Sequence, residues 1–276
     1  MGKTAFVFGG GGMLGASEVG MLRAVMEAGH RPDLVLGTSV GAINGAVLAA
    51  EPTLDCVGEL MTTWESLGGR ELFSGPLQRL RVAASTGTHL HSIEPLRALL
   101  ERRLGPIGIE DLAVPFQCCA ASIERAAETW FTEGPVATAV AASCAVPGLF
   151  GPVQIGGEHF LDGGLVNSLP VGRAVALGAT EIFVLHVGRI EQPLRVPTRP
   201  WEVATVAFEI ARRHRFASDM AAVPEGVSVR VMPAGPVPSP SANLRYRNTQ
   251  KVRQRIEEAY QASRAYLESP PTGEQA

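Results

Sequence analysis

The chain contains 276 residues, of which 46% are hydrophobic and 18% are charged, and its formal net charge is −3. This apolar content excludes a disordered chain, and the absence of a basic excess argues against a nucleic-acid-binding protein. The four cysteines, at 56, 118, 119 and 144, are too few and too irregularly spaced for a disulfide framework or a zinc site. We therefore expect a reduced, cytoplasmic protein.

Two segments bear on secretion and membrane insertion. The apolar run before the first glycines is too short for the hydrophobic region of a signal peptide. Residues 134–157 carry no charge, but prolines and glycines interrupt them repeatedly, which predicts a short helix and a turn-rich loop. We therefore expect neither a signal peptide nor a transmembrane helix.

The predicted elements alternate between strands and helices from the amino terminus. A strand over 4–8, a helix over 15–28, a strand over 34–36 and a helix over 40–50 form a βαβ pattern with parallel strands. Further helices are predicted over 54–67, 93–104, 136–143, 171–177, 202–217 and 251–267. Further strands are predicted over 116–123, 129–132, 181–187 and 227–232, with a short strand ending at Leu161. This pattern predicts one α/β domain over 1–268 and a frayed tail over 269–276.

The glycine run at 9–15 follows the first predicted strand. Gly10, Gly12 and Gly15 match G-x-G-x-x-G, the pattern of dinucleotide-binding loops. Such loops also need an acidic residue at the end of the second strand, whereas Asp33 precedes that strand. A nucleotide-binding Rossmann-type enzyme is therefore a third functional hypothesis, behind the two given below.

A nucleophile motif follows the second predicted strand. Residues 37–41 read G-x-S-x-G, with Ser39 between Gly37 and Gly41, at a strand-to-helix junction. Parallel strands end at the same edge of a sheet, so this motif and the first glycine loop are expected to lie together. The backbone N–H groups of Gly10, Gly11 and Gly12 would then form an oxyanion hole beside Ser39.

A serine nucleophile needs a base. The order of an α/β-hydrolase triad would allow His186 or His214, but neither has supporting sequence context. Asp162 is the stronger candidate, because it ends a predicted strand and is followed by Gly163 and Gly164, which leave room around its carboxylate.

Taken together, these motifs resemble the patatin-like phospholipase family. Its three blocks are a glycine-rich loop, a G-x-S-x-G elbow and a D-G-[GA] motif, and all three occur here in that order. The segments 143–150 and 167–170 also look like the family's sequence around the aspartate, so the resemblance runs from about Thr4 to Val187.

The resemblance implies a three-layer α/β/α sandwich with a mainly parallel central sheet. It also implies a lipid acyl hydrolase in which Ser39 attacks an ester and Asp162 takes its proton, without histidine. Gly11 and Gly12 would hold the oxyanion while Gly10 shapes the loop, and Gly37, Gly41, Gly163 and Gly164 would support the motifs. The implied partner is a lipid acyl-ester substrate, with neither a metal nor another cofactor.

One position departs from the family pattern. The glycine loop of the family usually continues with arginine or lysine, where this chain has Leu14. A non-catalytic lipid-binding or regulatory relative is therefore the second functional hypothesis. The basic residues between 245 and 255 fit contact with anionic lipid headgroups or a solvated helix face, which leaves peripheral membrane contact open.

Overall fold

A computed structural model describes residues 2–67, 82, 84–187, 193–235 and 249–269. The predicted tail, apart from its first residue, and part of the basic segment at 245–255 lie outside the described residues. The amino-terminal third forms β1 (Lys3–Phe8), α1 (Ala16–Glu27), β2 (Leu34–Thr38), α2 (Val40–Ala50) and α3 (Leu54–Leu67).

The middle and the end of the chain supply the remaining elements. The middle forms α4 (Glu94–Leu104), β3 (Phe116–Ser122), β4 (Ala127–Phe131), α5 (Val136–Ser143), β5 (Val153–Ile155) and β6 (Glu158–Asp162). It is followed by α6 (Val171–Ala176), β7 (Ala179–Leu185), α7 (Pro200–Ala221), β8 (Ser228–Met232) and α8 (Thr249–Glu268).

The described strands form one mixed sheet. Along its main path the order is β5-β6-β3-β2-β1-β7-β8, and β4 pairs with β3 beside that path. The pairs β1–β2, β1–β7, β2–β3 and β7–β8 are parallel, whereas β3–β4, β3–β6 and β5–β6 are antiparallel. The predicted parallel βαβ start and the mainly parallel sheet are therefore confirmed.

Helices cover both faces of the sheet, because its central strands are apolar on both sides. In β1, Phe6 and Phe8 face a core that includes residues of α1, α2, α3 and α8. The alternate residues Ala5 and Val7 face a second core that includes residues of α6 and α7. The expected three layers are thus present.

The boundaries of some elements differ from the sequence prediction. Strand β7 begins two residues earlier than predicted and ends at Leu185, the last residue that pairs with β1. Helix α7 extends beyond the predicted 202–217 at both ends, and β5 was not predicted. Local periodicity misplaces these ends because pairing partners decide where a strand starts and stops. The charge-free segment 134–157 forms the predicted short helix, α5, followed by turns.

Candidate active site

Strand β3 aligns the ends of two other strands. Thr38, the last residue of β2, pairs with Cys119, and Asp162, the last residue of β6, pairs with the next residue, Ala120. Strand β4 also pairs with β3, in antiparallel orientation. Because β2 is parallel and β6 antiparallel to β3, this register brings the carboxyl end of β2 and the end of β6 to neighbouring residues of β3, so that Ser39 lies beside Asp162.

Ser39 lies in a strained turn between β2 and α2. Its φ of 56° and ψ of −127° fall in a region that residues other than glycine rarely adopt. A Cβ on Gly37 would lie 2.6 Å from the carbonyl oxygen of Gly41, and a Cβ on Gly41 would collide with the carbonyl oxygen of Phe8. These contacts explain why both flanking positions of the motif are glycine.

The carboxylate of Asp162 is buried and both of its oxygens are bonded. Oδ2 accepts a hydrogen bond of 2.6 Å from Ser39 Oγ, and Oδ1 accepts one of 2.7 Å from the N–H of Gly164. Burial raises the pKa of Asp162 to about 6, although both hydrogen bonds act in the opposite direction. A carboxyl group of this pKa is mostly ionised at neutral pH and accepts a proton more readily than an ordinary aspartate.

The two glycines after Asp162 are required by close contacts. A Cβ on Gly163 would collide with the backbone carbonyl of Cys119. A Cβ on Gly164 would lie 2.9 Å from Asp162 Oδ1 and 3.0 Å from the ring of Phe208 in α7. The D-G-G sequence therefore lets the chain turn tightly against β3 while its second glycine amide donates to the carboxylate.

The first glycine loop lies next to Ser39. A Cβ on Gly10 would be 3.5 Å from Ser39 Cβ, and the N–H of Gly10 donates to the carbonyl oxygen of Ser168 at 3.0 Å. Within the described residues, the N–H groups of Gly11 and Gly12 donate no hydrogen bond. Gly12 has a φ of 56°, which glycine adopts without strain. Of the three predicted glycines, Gly11 and Gly12 thus retain amides for a ligand.

The stretch of chain that carries the three motifs also matches a protein-family model. The model of patatin-like phospholipases matches residues 6–175, which are more than half of the chain and contain the glycine loop, the elbow and the D-G-G motif. The chain belongs to the patatin-like phospholipase family.

Two curated proteins are similar to about two thirds of this chain. "Lysophospholipase nte1" from Aspergillus terreus is 32% identical over 68% of this chain, and "Neuropathy target esterase sws" from Drosophila melanogaster is 32% identical over 67%. The matches cover 12% and 13% of those proteins, so the chain spans about an eighth of their length. Among solved structures, VipD from Legionella pneumophila is 14% identical with a TM-score of 0.49, covering 96% of this chain and 66% of VipD.

The structure adds site residues whose roles the sequence did not reveal. Ser143, at the end of α5, accepts a hydrogen bond of 2.9 Å from the N–H of Ser39. Thr38 Oγ1 donates one of 2.8 Å to the carbonyl oxygen of Asn167. Ser143 and Asn167 belong to the segments that the family resemblance highlights, 143–150 and 167–170, and that resemblance is the signal that could have identified them.

Neither candidate histidine is bonded to Ser39. The ring of His186 is buried, and its Nε2 lies 3.2 Å from Nη1 of Arg212. Burial, followed by the charges of Arg212 and Arg213, holds the pKa of His186 well below its usual range. His214 is exposed on α7. Among the described residues, the side chain that accepts a hydrogen bond from Ser39 Oγ is therefore the carboxylate of Asp162.

The position of Asp33 argues against a dinucleotide-binding site. Asp33 lies just before β2, at the end of the sheet opposite the glycine loop, and its carboxylate accepts a hydrogen bond of 2.8 Å from the N–H of Thr4. It therefore cannot hold a ribose beside Gly10–Gly15, as a dinucleotide fold would require.

The sequence predicts neither a metal site, nor a disulfide framework, nor a transmembrane helix. In the described ranges, no group of three or more His, Cys, Asp or Glu side chains is arranged to hold a metal ion. The four cysteines are buried free thiols. Within the described part of the chain, no helix is both long enough and apolar enough to cross a membrane.

Proposed function

We propose that this chain is a serine acyl hydrolase that cleaves fatty-acyl esters of phospholipids or related lipids through a Ser39–Asp162 dyad. The observation that carries the proposal is the hydrogen bond of 2.6 Å from Ser39 Oγ to the buried carboxylate of Asp162. The Ser39 hydroxyl lies on a strained elbow and is bonded to a carboxylate whose pKa of about 6 is close to neutral pH. This is the arrangement of an activated nucleophile.

The proposed reaction has two steps. Asp162 accepts the Ser39 proton as Oγ attacks the ester carbonyl, and the protonated carboxyl group then passes the proton to the leaving alcohol. Asp162 then takes a proton from water as the water attacks the acyl-enzyme, and returns that proton to Ser39 Oγ as the bond between Oγ and the acyl group breaks, which releases a fatty acid and restores Ser39. The Gly164 N–H bond to Oδ1 keeps Oδ2 directed at Ser39 through both steps.

The N–H groups of Gly11 and Gly12 are assigned to the oxyanion. They lie in the loop beside Ser39 and have no acceptor within the described residues. The start of α2 directly after Ser39 adds the positive end of a helix dipole at the same place. Backbone donors do not depend on the side chain at position 14, so Leu14 does not by itself exclude catalysis.

The relatives' names support the substrate class. One is named a lysophospholipase and another an esterase. We therefore propose a lipid with a carboxylic ester as the substrate, with single-chain lysophospholipids as the first candidates.

Helix α7 offers a surface for the lipid phase. Its residue Phe208 packs against Gly164, beside the catalytic Asp162. Val203 and Ile210, two turns apart on one face of the same helix, are 53% and 56% exposed. Leu165, which follows Gly164, is also exposed. We assign the exposed α7 face, defined by Val203 and Ile210, to contact with the lipid surface that presents the substrate.

The test is hydrolysis of p-nitrophenyl esters of increasing chain length, and of a lysophospholipid, by the wild type, Ser39→Ala and Asp162→Asn. We expect activity in the wild type and its loss in both variants. Ser218→Ala is the matched control, because Ser218 is an exposed serine near the carboxyl end of α7, more than two turns beyond Ile210, and its hydroxyl donates to the carbonyl of His214 in its own helix. It should keep full activity.

Two outcomes would overturn the proposal. Retained activity in Ser39→Ala would remove the dyad. A folded wild type that hydrolyses none of the esters and is not labelled by a fluorophosphonate would favour the non-catalytic relative instead.

A further inference from the structure

A buried arginine from helix α7 reaches the glycine loop. Arg212 lies 202 positions after Gly10, and its Nη1 donates a hydrogen bond of 3.3 Å to the carbonyl oxygen of Gly10. The same Nη1 lies 3.2 Å from Nε2 of His186, and Nη2 bonds to Glu209 at 2.8 Å. Arg212 is 8% exposed, which is unusual for a charged side chain.

The hydrogen bond from Arg212 to the Gly10 carbonyl bears on the orientation of the next amide, that of Gly11. The carbonyl of Gly10 and the N–H of Gly11 belong to one planar trans peptide, so they point in opposite directions. A contact that holds the Gly10 oxygen towards α7 therefore also sets the direction of the Gly11 N–H. On the other side of Gly10, the N–H bond to Ser168 holds the preceding peptide.

Position 14, where the family usually has arginine or lysine, is a leucine and supplies no positive charge to the glycine loop. Leu14 is partly buried and packs against the core formed with α1, α2 and α3, so position 14 faces an apolar environment. Gly10 and Gly11 have no side chain that restricts their backbone, and flexible glycines lose conformational freedom when they are held in one orientation. An anchor from another element therefore preorganises the loop.

We propose that Arg212 is a positioning residue for the oxyanion hole, fixing the Gly10–Gly11 peptide so that the Gly11 N–H faces the reacting carbonyl. This inference rests on the function proposed above. The guanidinium also polarises the peptide that it binds, which makes the Gly11 N–H a stronger donor as negative charge develops. His186 is neutral in this contact and accepts from Arg212, which keeps the guanidinium charge directed at the loop.

The kinetic test compares Arg212→Gln and Arg212→Lys with the wild type on a soluble p-nitrophenyl ester. We expect Arg212→Gln to lower kcat by about 100-fold with KM changed less than about threefold. Arg212→Lys should recover part of kcat, since lysine retains a charged donor. Arg213→Met is the control, because Arg213 lies next in the helix and also pairs with Glu209, at 3.5 Å. It should retain kcat.

A binding measurement separates positioning from a merely structural role. Ser39 adds to a trifluoromethyl ketone that carries an acyl chain and forms an oxyanion, whereas the corresponding alcohol cannot react in this way. Arg212→Gln should weaken binding of the ketone by the same factor as kcat/KM and leave binding of the alcohol unchanged. If Arg212→Gln fails to fold, the binding of the ketone relative to the alcohol is measured for Arg212→Lys instead. A selective weakening of ketone binding then supports the positioning role, and equal weakening overturns it.

The possible failures are distinguishable. If Ser39→Ala is inactive while Arg212→Gln retains wild-type kcat, the role of Arg212 is wrong and the dyad stands. Equal weakening of ketone and alcohol, or an equal loss in Arg213→Met, would also overturn the role of Arg212. Activity in Ser39→Ala would overturn the proposed function itself.

Discussion

Ser39 and Asp162 are 123 positions apart in the chain, yet Ser39 Oγ donates a hydrogen bond of 2.6 Å to Asp162 Oδ2. The register of β3 sets this distance, because Thr38 and Asp162 pair with its neighbouring residues Cys119 and Ala120. A register slip of one residue in either pairing would move one side chain by about 3.3 Å and turn it to the other face of the sheet. The register of the sheet therefore sets the geometry of the proposed dyad.

Activity should rise with pH through about 6. Burial raises the pKa of Asp162 to that value, and below it the carboxyl group is protonated and cannot accept the Ser39 proton. We expect kcat/KM for a p-nitrophenyl ester to be about tenfold lower at pH about 5 than at pH about 7. The measurement is a pH profile between about 4.5 and 8, with Ser39→Ala as the background. A flat profile would show that Asp162 is not the base.

Asp162→Asn should stabilise the fold at high pH. A carboxyl group whose pKa is higher in the folded than in the unfolded state favours folding when protonated, and that contribution is lost as pH rises through about 6. Asparagine removes the buried charge, so we expect a gain on the order of 2 kcal/mol in the free energy of unfolding at pH about 8, vanishing below about 4. Urea unfolding at the two pH values measures it.

Asp219→Asn is the matched control for this stability effect. Asp219 forms an ion pair of 3.0 Å with Arg215 and accepts the N–H of Gly172, so its charge has a cationic partner. Its replacement should give no gain at either pH. A stabilisation of Asp219→Asn equal to that of Asp162→Asn would show that the effect is not specific to the buried charge of Asp162.

Ser143→Ala should reduce both stability and activity. The change leaves the buried N–H of Ser39 without its acceptor, which costs about 1–3 kcal/mol and loosens the elbow. We expect a lower Tm and a lower kcat. Ser263→Ala is the comparison, because Ser263 is also fully buried but bonds to Pro233, between α8 and the segment after β8. It should lower Tm alone, and equal losses of kcat would contradict a specific role for Ser143.

Gly163→Ala should inactivate the protein. Its Cβ would collide with the backbone carbonyl of Cys119, so the turn must shift and carry Asp162 away from Ser39. We expect a loss of about 1–3 kcal/mol in stability and of at least about 100-fold in kcat. Gly58→Ala is the opposite case, since nothing lies within 4 Å of its Cβ and it is in helix α3. That change should stabilise by up to about 1 kcal/mol without affecting kcat.

The α7 face should matter on lipid surfaces only. The double change Val203→Asp and Ile210→Asp places charges on an exposed apolar face, so it should weaken sedimentation with phosphatidylcholine vesicles by at least about tenfold. Hydrolysis of a short soluble ester should remain as in the wild type. Leu54→Asp, which changes an exposed leucine at the start of α3, should alter neither property. Unchanged vesicle binding in the double variant would exclude this surface.

Much of the fold was predictable because its signals are local. The apolar runs at β1, β2 and β7 and the helical spacing of α1 identify elements within a few residues, since each depends on its own side chains. The misplaced ends of β7 and α7, and the unpredicted three-residue strand β5, depend on partners elsewhere in the chain. The sequence alone therefore indicated the layers but not every boundary.

Some features of the candidate site were also predictable from local sequence, whereas others depend on the tertiary structure. The sequence by itself determined the strand–loop–helix motifs around Gly10–Gly12 and Ser39, because glycine spacing reports the local backbone, and its family resemblance pointed to Asp162. Only the tertiary structure decided that the amide of Gly10 is occupied by Ser168, that Ser143 caps the N–H of Ser39 and that Arg212 reaches the glycine loop. These contacts join residues more than 100 positions apart. No local pattern encodes them, since they follow from how the sheet and its two helical layers pack.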